Sequence, residues 1–317
     1  MDDLPADLVE RALSLKRRLA ACDVCPHRCG VNRLEKETGF CRTTDDIVVA
    51  HVGLHFGEEP PISGTGGSGT IFFARCNSRC VYCQNYQISQ RAEEIPTRVL
   101  TPEELADEML ALQEQGAHNV NLVSPTHVIA QVAESVCIAR ERGLSIPIVY
   151  NTNGYDAVET LRCLDGLIDV YLPDVKYSDD AAARAYSGIE RYVEVNRAAI
   201  AEMFRQVGHL ALDGDGIARR GLLVRHLVLP AGLAGSRDSL AFLASLSTDV
   251  VVSLMAQYSP QYKARHMPPL DRRISRAEYE QVLDWALELG LDRCFVQQVE
   301  SSQVLVPDFR RAQPFGG

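Results

Sequence analysis

No stretch of this 317-residue chain approaches the roughly 18 consecutive apolar side chains that a membrane span requires. The opening segment, MDDLPADLVE, is acidic and has neither the apolar core of a signal peptide nor the arginines of a transit peptide. A cytoplasmic protein is therefore expected. Positive charge is also short: 32 Lys and Arg stand against 42 Asp and Glu, a formal net charge of −10. A broad nucleic-acid surface needs clustered positive charge, so nucleic acid is an unlikely partner, although a local basic pocket is compatible with this balance. No internal repeat or low-complexity segment is present. Tryptophan occurs once, as Trp285.

Apolar residues are plentiful at 46%, enough to build a sizeable core. Residues 4–20 read as an amphipathic helix, with Leu8, Val9, Leu13, Leu15 and Leu19 on its apolar side. A Cys-rich segment covers residues 22–41, a strand is expected at Ile47–Val52, and the Pro/Gly-rich passage EEPPISGTGGSG follows. From residue 69 short apolar strands alternate with helical stretches. TIFFA precedes a helix opened by Thr101-Pro102-Glu103, and NVNLV a helix after His127. IPIVY precedes a helix from about Asp156, and DVYL helical residues between 179 and 207. LLVRHLVL precedes a helix near 236–246, VVVSL comes next, and a helix over Ser275–Leu289, with Trp285 at core spacing, precedes CFVQQ. Such alternation implies βαβ units and a parallel sheet. The expected fold is α/β: a partial (β/α)6 TIM-type barrel over residues 56–317. A small appendage over residues 1–55 carries the N-terminal helix and four cysteines.

Ligands of parallel α/β folds bind at the carboxyl ends of the strands. Those ends are polar here in strand after strand: Cys76; Ser124-Pro125-Thr126-His127; Asn151-Thr152-Asn153-Gly154; Asp174 and Lys176; His226 and Pro230; Gln257-Tyr258. Any one of them has the alternative of being an ordinary cap or turn. The series points to one face.

The ten cysteines are not evenly spread. The cytosol keeps thiols reduced, so clustered cysteines are expected to bind metal or do redox chemistry. Cys76, Cys80 and Cys83 form C-x3-C-x2-C directly after a strand. Three thiolates on one loop can ligate an iron–sulfur cluster and leave one iron open for substrate chemistry. The alternative is a zinc ion with a distant fourth ligand, since Asn77, Gln84 and Asn85 are poor candidates for that position. Cys22, Cys25, Cys29 and Cys41 form a second group, C-x2-C-x3-C-x11-C. Four thiolates suffice for a closed zinc site or a fully ligated iron–sulfur cluster; reduced buried cysteines are the alternative. Zinc would tie the entry helix to the barrel, whereas a second cluster could relay electrons or hold substrate. His27 beside them reads as a surface residue.

The C-x3-C-x-aromatic-C motif after the first barrel strand, with Tyr82 as the aromatic residue, resembles the radical S-adenosylmethionine (SAM) superfamily. The stretches GSGTIFFARCNSRCVYCQNYQIS, NLVSPTHV, NTNGYD, YLPDVKY, RHLVLPAG and SLMAQYSP are similar to the group related to pyruvate formate-lyase activating enzyme. CxxCPxxCGVNR…GFC matches its branch with an N-terminal Cys-rich segment. The resemblance implies a [4Fe–4S] cluster on Cys76, Cys80 and Cys83 whose open iron chelates SAM. Reductive cleavage of SAM then yields a 5′-deoxyadenosyl radical that abstracts hydrogen. By the same resemblance Asn153 lies near SAM, Asp174 and Lys176 match an Asp-x-Lys that serves SAM and partner, and His226, Gln257 and Tyr258 flank the nucleoside. Ser124-Pro125-Thr126 stands where the superfamily often has the Gly-Gly-Glu that holds the amino group of SAM, a departure that leaves that contact unassigned, with Ser124 and Thr126 as candidate cofactor-binding residues. A reductant such as flavodoxin or ferredoxin is implied, and a glycyl-radical enzyme or a small molecule as substrate. The competing class is a non-catalytic iron–sulfur or zinc protein for electron transfer or scaffolding.

Other signals carry less. GTGGSG precedes a strand instead of opening a helix, so it reads as a loop and not as a dinucleotide fingerprint. Cys137, Cys163 and Cys294 read as small buried apolar residues. Asp174–Lys176 has the alternative of a surface ion pair. Glu58-Glu59 and Asp179-Asp180 read as solvated turns.

Overall fold

The computed structural model describes residues 5–299 and 306–315. One sheet organises them. Its strands are β1 (Ile47–His55), β2 (Ser68–Phe73), β3 (Arg98–Leu100), β4 (Val120–Val123), β5 (Ile148–Thr152), β6 (Val170–Pro173), β7 (Ala211–Leu212), β8 (Ala218–Leu227), β9 (Val251–Met255) and β10 (Cys294–Val296). They lie in the order β10-β9-β8-β6-β5-β4-β2-β1-β3, with β7 paired to β8. From β2 through β10 every neighbour on that path is parallel. β1 runs antiparallel to β2 and β3.

Because the parallel strands follow one another in chain order, every crossover steps the same way, the winding of a (β/α) barrel. The α/β architecture is the one expected. β2, β4, β5, β6, β8 and β9 make the six-strand parallel run, β10 extends it, and the sheet stays open. Strand β1 reaches His55, further than the sequence suggested, and is hydrogen-bonded to β2 to its end. The edge strands β3 and β7 are too short to have left an apolar pattern.

The helices are α1 (Ala6–Arg17), α2 (Pro60–Ser63), α3 (Tyr86–Ser89), α4 (Pro102–Glu114), α5 (Ile129–Glu141), α6 (Val158–Cys163), α7 (Asp180–Ser187), α8 (Tyr192–Val207), α9 (Ser236–Leu246) and α10 (Arg276–Glu288). Helix α4 begins at a capping box in which Thr101 Oγ1 accepts from the Glu104 amide and Glu104 accepts from the Thr101 amide. Ser275 and Glu278 do the same for α10. Each such cap is worth about 1 kcal/mol. The helical stretch expected between 179 and 207 divides into α7 and α8. Gly188 ends α7 in the left-handed region at φ 65°, and Arg191, at φ 52°, precedes α8. Asp179 is not a free turn residue: its carboxylate accepts from the amides of Ala181 and Ala182 and caps α7.

The two sides of the sheet carry different residues. On the outer side, residues such as Tyr150, Tyr171 and Val224 join the main core beneath the helices, where α1 packs on α5 and α6. On the inner side Val149, Val170, Leu172, Leu223 and Val251 make an apolar layer stopped by Ile62 of α2. Above that layer, toward the carboxyl ends of the strands, the inner side turns polar.

Candidate active site

The polar level opens into a cleft of about 400 Å³, walled by inward residues of β2, β4, β5, β8, β9 and β10 and by the loops that follow them. Cys76, Cys80 and Cys83 all face it, and no fourth cysteine is among its described wall residues. Each thiol has a polar neighbour. Asn153 Nδ2 donates to Cys76 Sγ at 3.4 Å, Ser78 and Ser187 hydroxyls lie 3.0 Å from Cys80 Sγ, and Ser89 Oγ lies 3.3 Å from Cys83 Sγ. Tyr82 is buried beneath the loop and starts a hydroxyl chain. Its OH meets Tyr177 OH at 2.6 Å, which meets Ser187 Oγ at 2.8 Å, and so reaches Cys80. Burial, with added repulsion from neighbouring thiolates, pushes Cys76 up to about 12 and Cys83 up to about 11. These thiols hold their protons until a cation draws the protons off.

Asp174 and Lys176 form a pair at 2.5 Å on the cleft wall, largely withdrawn from solvent and so unlike the surface pair that the sequence left open. Burial alone would lower the Lys176 ammonium, but Asp174 and the Cys80 thiolate outweigh it and hold Lys176 above its usual range.

Residues 70–227 match the family model of the radical SAM superfamily. An uncharacterized protein of Methanocaldococcus jannaschii, MJ0674, is 33% identical over 278 residues, covering 86% of this chain and 75% of that protein. A second, MJ0808 of the same organism, is 30% identical over 173 residues, half of each chain. The chain belongs to the radical SAM superfamily. Among solved structures, the hydrogenase maturase HydG of Carboxydothermus hydrogenoformans has a TM-score of 0.46 at 16% identity, and methylornithine synthase (PylB) 0.45 at 18%. The matches cover 70% of this chain in both cases, but only 50% and 61% of those two proteins.

Membership in the radical SAM superfamily makes this an enzyme and implies a [4Fe–4S] cluster with SAM. The donor set fits that cluster: three thiols on one loop face one cleft, hydroxyl or amide groups are ready to stabilise each thiolate, and the described wall offers no fourth cysteine.

The other residues singled out in the sequence divide. Ser124, in the left-handed region at φ 55°, Asn153 and Gln257 line the cleft, and Gln257 accepts from Gln297 Nε2 at 3.2 Å. Tyr258 reaches the wall only with its ring, which packs edge-on to Tyr82; its OH donates to the Leu270 carbonyl at 2.6 Å. Thr126 is withdrawn from the cleft. With Thr152 and Tyr150 it surrounds the buried Asp156 carboxylate, at 2.7, 2.7 and 2.9 Å, and so fastens the β4 and β5 loops together. His226 lies outside the cleft altogether. Fully buried on the outer side of β8, its ring bonds the Val175 carbonyl and Ser236 Oγ, both at 2.8 Å, and burial lowers its pKa to about 4. Side chains alternate along a strand, so the inward positions of β8 are those of Arg225 and Leu227.

Arg225 is the residue that the sequence reading passed over, and its partners are the two glutamates expected in a solvated turn. Glu59 is buried at the bottom of the cleft and Glu58 beside it is half-buried, its side chain 9% exposed. Arg225 Nε donates to Glu59 Oε1 at 2.8 Å, and its Nη2 donates to both carboxylates. Asn121 Nδ2 donates to the other oxygen of Glu58 at 3.3 Å. Burial would raise Glu59, yet the Arg225 charge and hydrogen bonds leave it below the usual carboxylate range. The inward parity of Leu223, Arg225 and Leu227 in LLVRHLVL was the signal that could have found this cluster.

The four N-terminal cysteines line a second, smaller hollow. Cys22, Cys25 and Cys41 are buried and Cys29 is half-buried. Burial pushes Cys25 well up, and the thiolates of Cys41, Cys22 and Cys29 add to it. The Phe40 amide donates to Cys29 Sγ at 3.4 Å, and the buried Arg33 guanidinium has Nη1 3.8 Å from Cys22 Sγ. His27 is not a free surface residue. Its ring stacks on Phe40 at 3.9 Å and bonds the Asn77 carbonyl at 2.8 Å, joining this segment to the loop of Cys76. Of the isolated cysteines, Cys137 is buried, while Cys163 and Cys294 are half-buried.

Proposed function

We propose that this protein cleaves SAM reductively and uses the radical so formed to take a hydrogen atom from a substrate lying deeper in the same cleft. The observation that carries this is the set of three thiols, each with a hydrogen-bonding neighbour, opening into one deep polar cleft. When bound, the [4Fe–4S] cluster supplies the electron that breaks a carbon–sulfur bond of SAM and leaves a 5′-deoxyadenosyl radical. Cys76, Cys80 and Cys83 would hold the cluster, with Asn153, Ser187 and Ser89 stabilising the thiolates. Ser124, Asp174, Lys176 and Gln257 face the space that SAM would take, and Phe72, Leu227 and Met255 keep that space poor in water.

The reading includes a flavodoxin or ferredoxin as reductant, a cytoplasmic location and, from the resemblance to activating enzymes, a glycine Cα–H of a glycyl-radical enzyme as the hydrogen removed. A small-molecule substrate is the competing outcome. Among the described residues no helix is long and apolar enough to cross a membrane. We assign a second metal centre to Cys22, Cys25, Cys29 and Cys41, zinc or a fully ligated iron–sulfur cluster. The shared hollow and the donors from Phe40 and Arg33 support it.

The test is anaerobic purification of the wild type and of a Cys76→Ala/Cys80→Ala/Cys83→Ala variant. Iron, sulfide and zinc are counted in each, and 5′-deoxyadenosine is assayed with dithionite and SAM. The wild type is expected to assemble a cluster and make deoxyadenosine, and the variant to make none while keeping the metal of the N-terminal site. A wild type that assembles no cluster on the triad would sink the proposal. A stable radical on an added glycyl-radical enzyme would identify the target class.

A further inference from the structure

The chemistry at the mouth of the cleft leaves the charged cluster on its floor unused. Arg225, Glu58 and Glu59 come from β8 and from the segment before α2, more than 160 residues apart, and meet nearly out of solvent. Three of the five guanidinium N–H groups, on Nε and Nη2, are taken by the carboxylates. Nη1 has Asn151 Oδ1, at 3.4 Å, the longest contact of the set, so donor capacity remains on the side of the cleft. The carboxylates are more fully engaged, though each oxygen has a second lone pair. Both oxygens of Glu59 are engaged by Arg225, and those of Glu58 by Arg225 and Asn121. A cationic group entering the cleft would therefore have to share a carboxylate with Arg225.

Nor does the cleft favour an anion. Its described wall carries three carboxylates, Glu58, Glu59 and Asp174, against two cationic side chains, Lys176 and Arg225, and each cation is already paired. The remaining polar wall is neutral and rich in amides, with seven Asn or Gln side chains. We infer that Arg225, held in place by Glu58 and Glu59, orients the substrate by donating from Nη1 to an uncharged carbonyl oxygen, selecting an amide over a carboxylate or phosphate. The inference rests on reading this cleft as the site of hydrogen abstraction and adds the substrate class to it.

The test uses the cluster-loaded full chain under anaerobic conditions, with N-acetylglycinamide as probe and acetate and inorganic phosphate as anionic counterparts. Binding is read by saturation-transfer NMR. The wild type is expected to bind the amide at least about 10-fold more tightly than either anion, the scale of one well-placed hydrogen bond to a charged group. Arg225→Lys keeps the charge but lacks the fork, and is expected to lose the amide preference. Arg225→Ala would strand two carboxylates and is avoided. Glu58→Gln removes one negative charge with little change of shape, so acetate and phosphate are expected to gain on the amide, which loosened packing alone would not produce. A wild type that prefers an anion or binds no amide, or an Arg225→Lys variant that binds like the wild type, overturns the inference. Deoxyadenosine formation is measured in parallel. Normal SAM cleavage without the amide preference faults the floor assignment alone, whereas amide preference without SAM cleavage faults the radical chemistry.

Discussion

The side-chain amide of Asn153, at the end of β5, donates to the Sγ of Cys76, which lies 77 residues earlier and two strands away across the sheet. It also donates to Asn77 Oδ1 at 2.8 Å, and Asn77 in turn donates to the Tyr155 carbonyl. The cysteine loop and the loop after β5 are thus held as one piece. Asn153→Ala removes a hydrogen bond to the sulfur of a proposed cluster ligand, a change that ordinarily costs about 10-fold or more in metal affinity. Iron retention during titration with a chelator is the measurement, and retention equal to wild type would show that the contact does nothing for the cluster.

Gly39 has the Cys29 side chain against it. A Cβ there would stand 2.6 Å from Cys29 Sγ and 2.7 Å from its Cβ. Gly39→Ala should therefore displace Cys29, lower stability by about 1–3 kcal/mol, and empty the metal centre proposed for the N-terminal segment while all four cysteines remain. Metal counting on this variant combined with the triad substitutions reads the N-terminal centre alone. Unchanged metal content would remove Cys29 from its ligands.

Gly154 adopts φ 76°, and a Cβ would fall 2.2 Å from Asn196 Nδ2 and 2.3 Å from the Asp174 carbonyl oxygen. Asn196 donates to the carbonyls of Gly154 and Asp174 and locks this turn. Gly154→Ala combines positive-φ strain with a backbone clash, so a loss of at least about 2 kcal/mol is expected. Chemical denaturation checks it, and a variant as stable as wild type would mean that the turn can move.

His226 is neutral in the fold, with its pKa lowered by burial from 6.5 to about 4. The unfolded chain takes up this proton as pH falls below about 6.5, and the folded chain does not until about 4. Across that window the unfolded state binds more protons, so stability falls as pH falls, by up to about 3 kcal/mol for this residue. His127, likewise lowered to about 4, acts in the same direction. The denaturation free energy of His226→Gln is expected to change less steeply between pH 7 and 5 than that of wild type. Equal slopes would mean that His226 is already protonated in the fold.

What the sequence disclosed follows from how local each signal is. The cysteine triad lies within eight residues of one loop, and each barrel strand left its own apolar run, so both were legible without neighbours. Burial side was harder. In LLVRHLVL the strand was plain, yet His226 attracted attention as a chemical residue although the alternation sends it outward and Arg225 inward. Glu58 and Glu59 looked solvated because nothing near them in sequence is a partner; theirs sits in β8, over 160 positions on. His27 misled in the same way, since its contacts are Phe40 and Asn77. Thr126 stands in a segment that does reach the cleft, but its hydroxyl is spent on Asp156, a choice fixed by the packing of β4 against β5.

Ile62, with the apolar layer around it, stops the inner side of the sheet beneath Arg225. Among the described residues that end of the chamber is closed, so traffic to the floor is routed past the cysteine loop. Whatever occupies the floor has to arrive before the mouth fills and leave after the mouth empties. Closure at that end favours an order of binding, with the deeper guest first in and last out. An excess of the outer guest, SAM, should accordingly trap the inner one or bar its entry, a kinetic signature of inhibition at high SAM that depends on the plug alone.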